Sequence, residues 1–349
     1  MNERPTKRVL VAGGAGYIGS VLVPRLLAAG HEVRVLDALL YGNGGSLAGV
    51  LDDDGLSFVL GDIRSSDSVR AALDGVTDVV LLAALVGDPV CKRNPELARA
   101  VNVDGAANLL EASRQAGVDR FVFASTCSNY GLREDDHPAS EADELRPLSL
   151  YAETKVEMEG RTLADANGDL TPTVLRVSTA YGISPRMRFD LTVSEFTRQL
   201  ALGRELEVYD ADTWRPYCHV ADISSAIRAV LEAPAGTVGG QVFNVGGDDG
   251  NYTKRMIVEA AVEALDGDAR VTWTEGGVDP RNYRVSFDKI QSALGWRPQH
   301  TVRGSIPNLI AAVRTGMFPD VEARELFYGN HGFAAPIEPG EGQGGGDAG

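Results

Sequence analysis

Apolar residues fall in short runs through the first half of the chain, at 8–12, 33–36, 57–60, 78–82, 120–125 and 173–177. Each run has the length of a buried strand. Between them lie stretches with helical spacing, near 17–29, 65–73, 95–116 and 151–167. Strands alternating with helices predict an α/β fold with a doubly wound parallel sheet covered on both faces. Beyond residue 180 the pattern is less regular: a strand-like LEVYD within 203–210, then helices near 219–232, 252–265 and 286–294. This predicts one unit over 1–180 and a smaller one over 181–333, with some segments able to return to the large sheet. Residues 334–349 hold almost nothing apolar to bury and read as a disordered tail. There is no internal repeat.

Composition narrows the options. The 349-residue chain is 44% hydrophobic, enough for a large core, and carries a formal net charge of -16. A surface this acidic argues against non-specific contact with nucleic acid or anionic membrane. Small anions remain possible partners, because a few local arginines can override the global field. Cys91, Cys127 and Cys218 have no metal-ligand spacing, and the five histidines form no cluster, so no metal is expected. The low, odd cysteine count suits a reduced, cytoplasmic setting. The N-terminal MNERPTKRVLVAGG is too polar for a signal peptide. The longest apolar run, Val79 to Val86, falls far short of the roughly 18–20 residues that span a bilayer.

The first strand runs into GGAGYIG, and Gly13, Gly16 and Gly19 then open a helix. Glycines there let the backbone approach a pyrophosphate, and the helix N-terminus favours the anion. Asp37 ends the next strand, about 20 residues on, where a carboxylate accepts hydrogen bonds from ribose hydroxyls. No Arg or Lys follows it closely to welcome a 2′-phosphate, so NAD is favoured over NADP. After the third strand, Asp62 and Ile63 in GDIR are placed to bracket an adenine ring.

Tyr151 and Lys155 stand four apart in YAETK, on one face of a helix. A lysine ammonium beside a phenol stabilises the phenolate and lowers its pKa from about 10. The tyrosine can then exchange a proton with a substrate hydroxyl or carbonyl. The preceding FASTCSNYG ends the fifth strand, and strand C-termini are where ligands meet such a sheet. Ser125 or Thr126 could donate to the same substrate oxygen.

Taken together, GGAGYIG, Asp37, GDIR, LLAAL, VNVDGAANLLEA, STCSNYG, YAETK, RPYCHVAD and DPRNYRVSFDKI resemble an extended short-chain dehydrogenase/reductase of the NAD-dependent epimerase/dehydratase type, over about residues 8–315. The resemblance implies a Rossmann-type domain with a small C-terminal α/β substrate domain, acting on a nucleotide-diphosphate sugar. It implies that Gly13, Gly16, Tyr17, Ile18, Gly19, Asp37, Asp62, Ile63, Ala83, Ala84 and Lys155 hold NAD, with Asn102 supporting the site. Thr126, four residues before the tyrosine of the YG pair, becomes the hydroxyl donor, Tyr151 the acid/base and Lys155 its partner. Arg215 and Arg281 match positions that bind the substrate diphosphate, a task suited to a planar guanidinium.

Two departures matter. Sugar dehydratases and decarboxylases of this family keep a carboxylic acid just after the threonine, where this chain has Cys127 and Ser128. Both reactions are therefore disfavoured. In SPRMRFDLTVSEFT, Asp190 replaces an asparagine that faces the diphosphate in many relatives, so Arg186 and Arg188 must compensate or the substrate sits differently. What remains is an epimerase that recycles its cofactor, or a ketoreductase that draws NADH from solution. A non-catalytic NAD sensor or scaffold would not need Thr126, Tyr151 and Lys155. Val101, Leu109, Leu110, Val156 and Leu163 have the spacing of a helix-pair interface, so a homodimer is expected.

Overall fold

The computed structural model describes residues 6–133, 137–164, 168–265, 269–277, 279 and 281–332. The expected tail, 334–349, lies outside them. Twelve strands follow in chain order: β1 (Arg8–Ala12), β2 (Glu32–Asp37), β3 (Leu56–Leu60), β4 (Asp78–Leu81), β5 (Arg120–Thr126), β6 (Thr171–Val177), β7 (Thr179–Tyr181), β8 (Leu206–Tyr209), β9 (Trp214–His219), β10 (Gln241–Val245), β11 (Asn251–Thr253) and β12 (Val271–Thr274). Seven of them form a parallel sheet in the order β10-β6-β5-β4-β1-β2-β3. This is a Rossmann-like α/β fold. The strand order reverses between β1 and β4, and their C-terminal ends leave the crevice in which doubly wound sheets bind ligands.

Apolar strands explain the two-sided cover. All four residues of β4 are buried, and β1 is buried from Val9 to Ala12. One sheet face packs Val9, Val11, Val35 and Val122 against Leu22, Leu26, Ile223 and Ile227. The other packs Leu10, Leu36, Val79 and Phe121 against Val69, Leu109 and Met158. The helix Val220–Glu232 and β10 thus belong to the large sheet layer although they lie beyond residue 180. A third cluster is built on the helices Thr192–Ala201, Lys254–Leu265 and Val302–Arg314.

Several elements differ from the sequence pattern. The helix expected over 95–116 is interrupted by a π-helical stretch, Ala100–Gly105, whose wider turn carries Asn102. The helices Asp88–Arg93, Thr192–Ala201 and Val302–Arg314 were not anticipated. Val101, Leu109 and Leu110, expected at a dimer surface, are instead buried in the protomer's own core, and Val156 and Leu163 are half-buried. Among the described residues, no helix is long and apolar enough to cross a membrane.

Candidate active site

A cleft of about 480 Å³ opens at the C-terminal ends of β1, β4 and β5. Its floor is the glycine loop. Gly13 has φ 87°, and a Cβ there would lie 2.6 Å from the Ala83 nitrogen, so only glycine permits this approach of β1 to β4. A Cβ on Gly19 would lie 2.4 Å from the Gly13 oxygen, which explains the glycine at the first turn of the helix Gly19–Ala28. The Asp37 carboxylate accepts from the Ala15 amide at 3.0 Å and the Leu39 amide at 2.8 Å, fastening the loop to the end of β2. Burial pushes its pKa up, against those hydrogen bonds. Asp62 and Ile63 line the cleft, with Asp62 gripped by Arg64 at 2.7 Å; Tyr17, Ile18, Ala83 and Ala84 line it too. The cradle fits a dinucleotide: a glycine-rich floor, a helix N-terminus and a carboxylate at the second strand end.

Thr126 ends β5, and its Oγ1 accepts from the Ser128 amide at 3.1 Å, which turns the chain into the helical turn Cys127–Tyr130. The helix Leu150–Leu163 is capped by Ser149, whose hydroxyl accepts from the Ala152 amide. Tyr151 and Lys155 project from it into the cleft. The Lys155 Nζ donates to the Ala124 carbonyl at 2.8 Å and lies 5.9 Å from the Tyr151 ring centroid. Burial lowers the Lys155 pKa to about 8. The Tyr151 pKa departs from the sequence expectation. Burial raises it, with Cys91 and Asp88 adding to the rise and Arg188 and Arg281 opposing it. Desolvation outweighs the cationic neighbours in the protein alone.

Asn102 does not line the cleft. Its side chain accepts from the Leu85 amide at 2.7 Å and donates to the Leu85 carbonyl at 3.0 Å, pinning the segment after β4 from behind. Cys127 is buried, its thiol donating to the Arg176 carbonyl, and burial pushes its pKa up to about 12.

The four arginines fall into two pairs. Arg215 and Arg281 share Asp279, at 3.0 and 2.8 Å, and Arg281 also reaches Asp88 at 2.9 Å. Burial alone would raise Asp279, but the two guanidiniums hold it well below the usual carboxylate range. Arg188 forks onto Asp190, at 2.9 and 2.5 Å, so the aspartate that departs from the family pattern is neutralised within its own loop. Arg186 stacks on Tyr41, 4.5 Å from its ring centroid, and donates to the Asn330 side-chain oxygen at 2.9 Å. Asn330, His331, Tyr41, Asp88 and Asp279 all line the cleft, and sequence reasoning assigned none of them a role. Asp279 stands in the DPRNY stretch and could have been found as the partner of its arginines; nothing in the spacing marks Asn330.

Comparison with known proteins agrees with this architecture. Residues 9–246 match the model of the NAD dependent epimerase/dehydratase family. The chain is 33% identical to a UDP-glucose 4-epimerase of Corynebacterium glutamicum over 313 residues, 84% of this chain and 92% of that protein. It is also 33% identical to the low-salt glycan biosynthesis protein Agl12 of Haloferax volcanii, over 83% of this chain and 93% of that one. Among solved structures, the UDP-glucose 4-epimerase of Thermus thermophilus with NAD superposes with a TM-score of 0.77 at 30% identity, covering 88% of this chain and 99% of that one. The dTDP-glucose 4,6-dehydratase DesIV of Streptomyces venezuelae, with NAD bound, gives 0.79 at 32% identity, covering 88% and 97%. The chain belongs to the NAD-dependent epimerase/dehydratase family and is an NAD-dependent enzyme.

Proposed function

We propose that this chain is a nucleotide-sugar epimerase of the UDP-glucose 4-epimerase kind, working by reversible hydride transfer through a keto sugar. The observation that carries the reading is local. Thr126, Tyr151 and Lys155 open onto one cleft, while the next two positions hold a buried thiol and a serine hydroxyl. Neither Cys127 nor Ser128 is an acid able to expel water or assist decarboxylation. The carboxylates lining the cleft are already engaged: Asp37 by backbone amides, Asp62 by Arg64, Asp88 by Arg281, Asp190 by Arg188 and Asp279 by two arginines.

The glycine loop, Asp37, Asp62 and Ile63 hold NAD, with Asn102 supporting the wall. When bound, NAD would supply a hydride acceptor and a positive charge. Thr126 donates a hydrogen bond to the reacting oxygen. Tyr151 takes the proton of the sugar hydroxyl as the carbonyl forms and returns it as the carbonyl is reduced on its other face. Lys155 keeps cationic company with the phenolate, opposing the burial that otherwise holds the proton on Tyr151. Arg215 and Arg281 meet the diphosphate in place of their carboxylate partners.

The test is product analysis of a panel of UDP-, TDP- and GDP-sugars and their 4-keto derivatives, with and without added NADH. An isomer inverted at one ring carbon, formed without added NADH, is expected. Turnover of the keto sugars alone, with NADH required, would make the protein a ketoreductase.

A further inference from the structure

Arg186 is a buried cation held over the dinucleotide half of the cleft by the C-terminal segment. Its side chain is 2% exposed, and among the described residues no carboxylate lies within ion-pair distance. Its Nε has no hydrogen-bond partner there either. Burial and the neighbouring Arg188 lower its pKa to about 10. An arginine so placed is unfavourable unless an anion shares the site.

The structure indicates which anion. The loop that carries Arg186 is tied to the glycine loop: the Tyr17 hydroxyl donates to the Gly182 carbonyl at 2.6 Å, and the Ser184 hydroxyl donates to the Tyr17 carbonyl at 2.8 Å. Ser184 Oγ also lies 3.0 Å from Ser20 Oγ, in the first turn of the helix Gly19–Ala28. Two residues on, Arg186 stacks on Tyr41, four residues past Asp37, and its charge opposes the rise in the Asp37 pKa. The guanidinium thus reaches the segment that starts at the ribose carboxylate, while its loop follows the helix N-terminus suited to pyrophosphate. Asn330 fixes it from above. It accepts from Arg186, its amide nitrogen donates to the Val86 carbonyl at 2.9 Å, and its backbone nitrogen donates to Asp190 at 3.1 Å.

We infer that Arg186, clamped by Asn330, binds the pyrophosphate of NAD rather than the diphosphate of the sugar nucleotide, so that the C-terminal segment retains the cofactor. The inference rests on NAD as the cofactor and stands whether the sugar is epimerised or reduced.

The experiment compares wild type with Arg186→Met and Asn330→Ala. It reads the NAD bound per protomer after purification, the rate of NAD release into an enzymatic trap, and the affinity of the NAD-saturated protein for UDP. Both variants are expected to release NAD at least about tenfold faster, the loss of one charge-assisted contact, with UDP affinity unchanged. Arg186→Lys keeps the charge without the fork and should fall between; it carries the test if the methionine variant does not fold. Unchanged NAD release would overturn the inference. Lost UDP affinity with NAD retained would return Arg186 to the substrate, and selective loss of NADP binding would make it a 2′-phosphate reader.

Discussion

Arg176 grips Glu159 through Nε at 3.1 Å and Nη2 at 2.8 Å, wholly buried behind the helix that carries Tyr151 and Lys155. The same carboxylate accepts from Ser125 at 2.5 Å and Asn129 at 2.8 Å, so it clamps the end of β5 to that helix. Tyr151, Lys155 and Glu159 are spaced by four, one above the other. Glu159→Gln leaves a buried guanidinium without its counter-charge. The expected cost is about 3–5 kcal/mol, read by denaturant unfolding. Adding Arg176→Met should recover part of it; full additivity of the two losses would refute the pairing.

Tyr151→Phe removes the proton carrier and leaves the glycine loop and Asp37 untouched. Turnover should fall about 10²–10⁴-fold while bound NAD per protomer is unchanged. A variant that still turns over at the wild-type rate would remove Tyr151 from the chemistry.

Lys155 gives a pH signature. Its folded pKa is lowered to about 8 from an ordinary 10.5, so at neutral pH its buried charge costs stability. Between these values the unfolded chain binds the extra proton, and stability from this group rises with pH. Lys155→Met should abolish that rise in NAD-free protein and raise the unfolding free energy at pH 7 by on the order of 1–3 kcal/mol, while eliminating activity. A destabilised variant with an unchanged pH profile would contradict the assignment.

Asp88 pairs with Arg281 and accepts from Ser149 at 2.6 Å. It also contributes to the raised Tyr151 pKa. Asp88→Asn should therefore tighten UDP binding, by leaving the guanidinium one carboxylate partner instead of two, and shift the basic group of the pH–rate profile downward. Calorimetry and the profile check the two effects separately; weaker UDP binding would mean that Asp88 positions Arg281 rather than competing for it.

Cys91, Cys127 and Cys218 are free and buried, and burial raises all three thiols, Cys91 and Cys127 to about 12. Iodoacetamide should leave native protein unmodified and label all three after unfolding. Rapid labelling of Cys127 in native protein would reopen its role as a reactive thiol.

The glycine loop, Asp37 and the Tyr151–Lys155 pair were legible because each depends on local spacing along one strand or helix. The strand Gln241–Val245 was not, because Asn244 interrupts its apolar run; the structure satisfies that side chain with the Tyr130 hydroxyl at 2.8 Å. Asn330 was invisible for a different reason. Its contacts arise where its own segment meets two distant ones, at Val86 and at Arg186–Asp190, and no spacing encodes that. The direction of the Tyr151 shift was also out of reach, because sequence shows a neighbouring charge but not the degree of burial that opposes it.

The most direct test of reversible hydride transfer is to run the reaction in D₂O with the best sugar nucleotide and inspect the inverted carbon by NMR, while following NADH. The account predicts an isomer with no deuterium at that carbon and no net NADH consumed, because the hydride removed is the one returned. Deuterium at that carbon, or one NADH consumed per product, would contradict it.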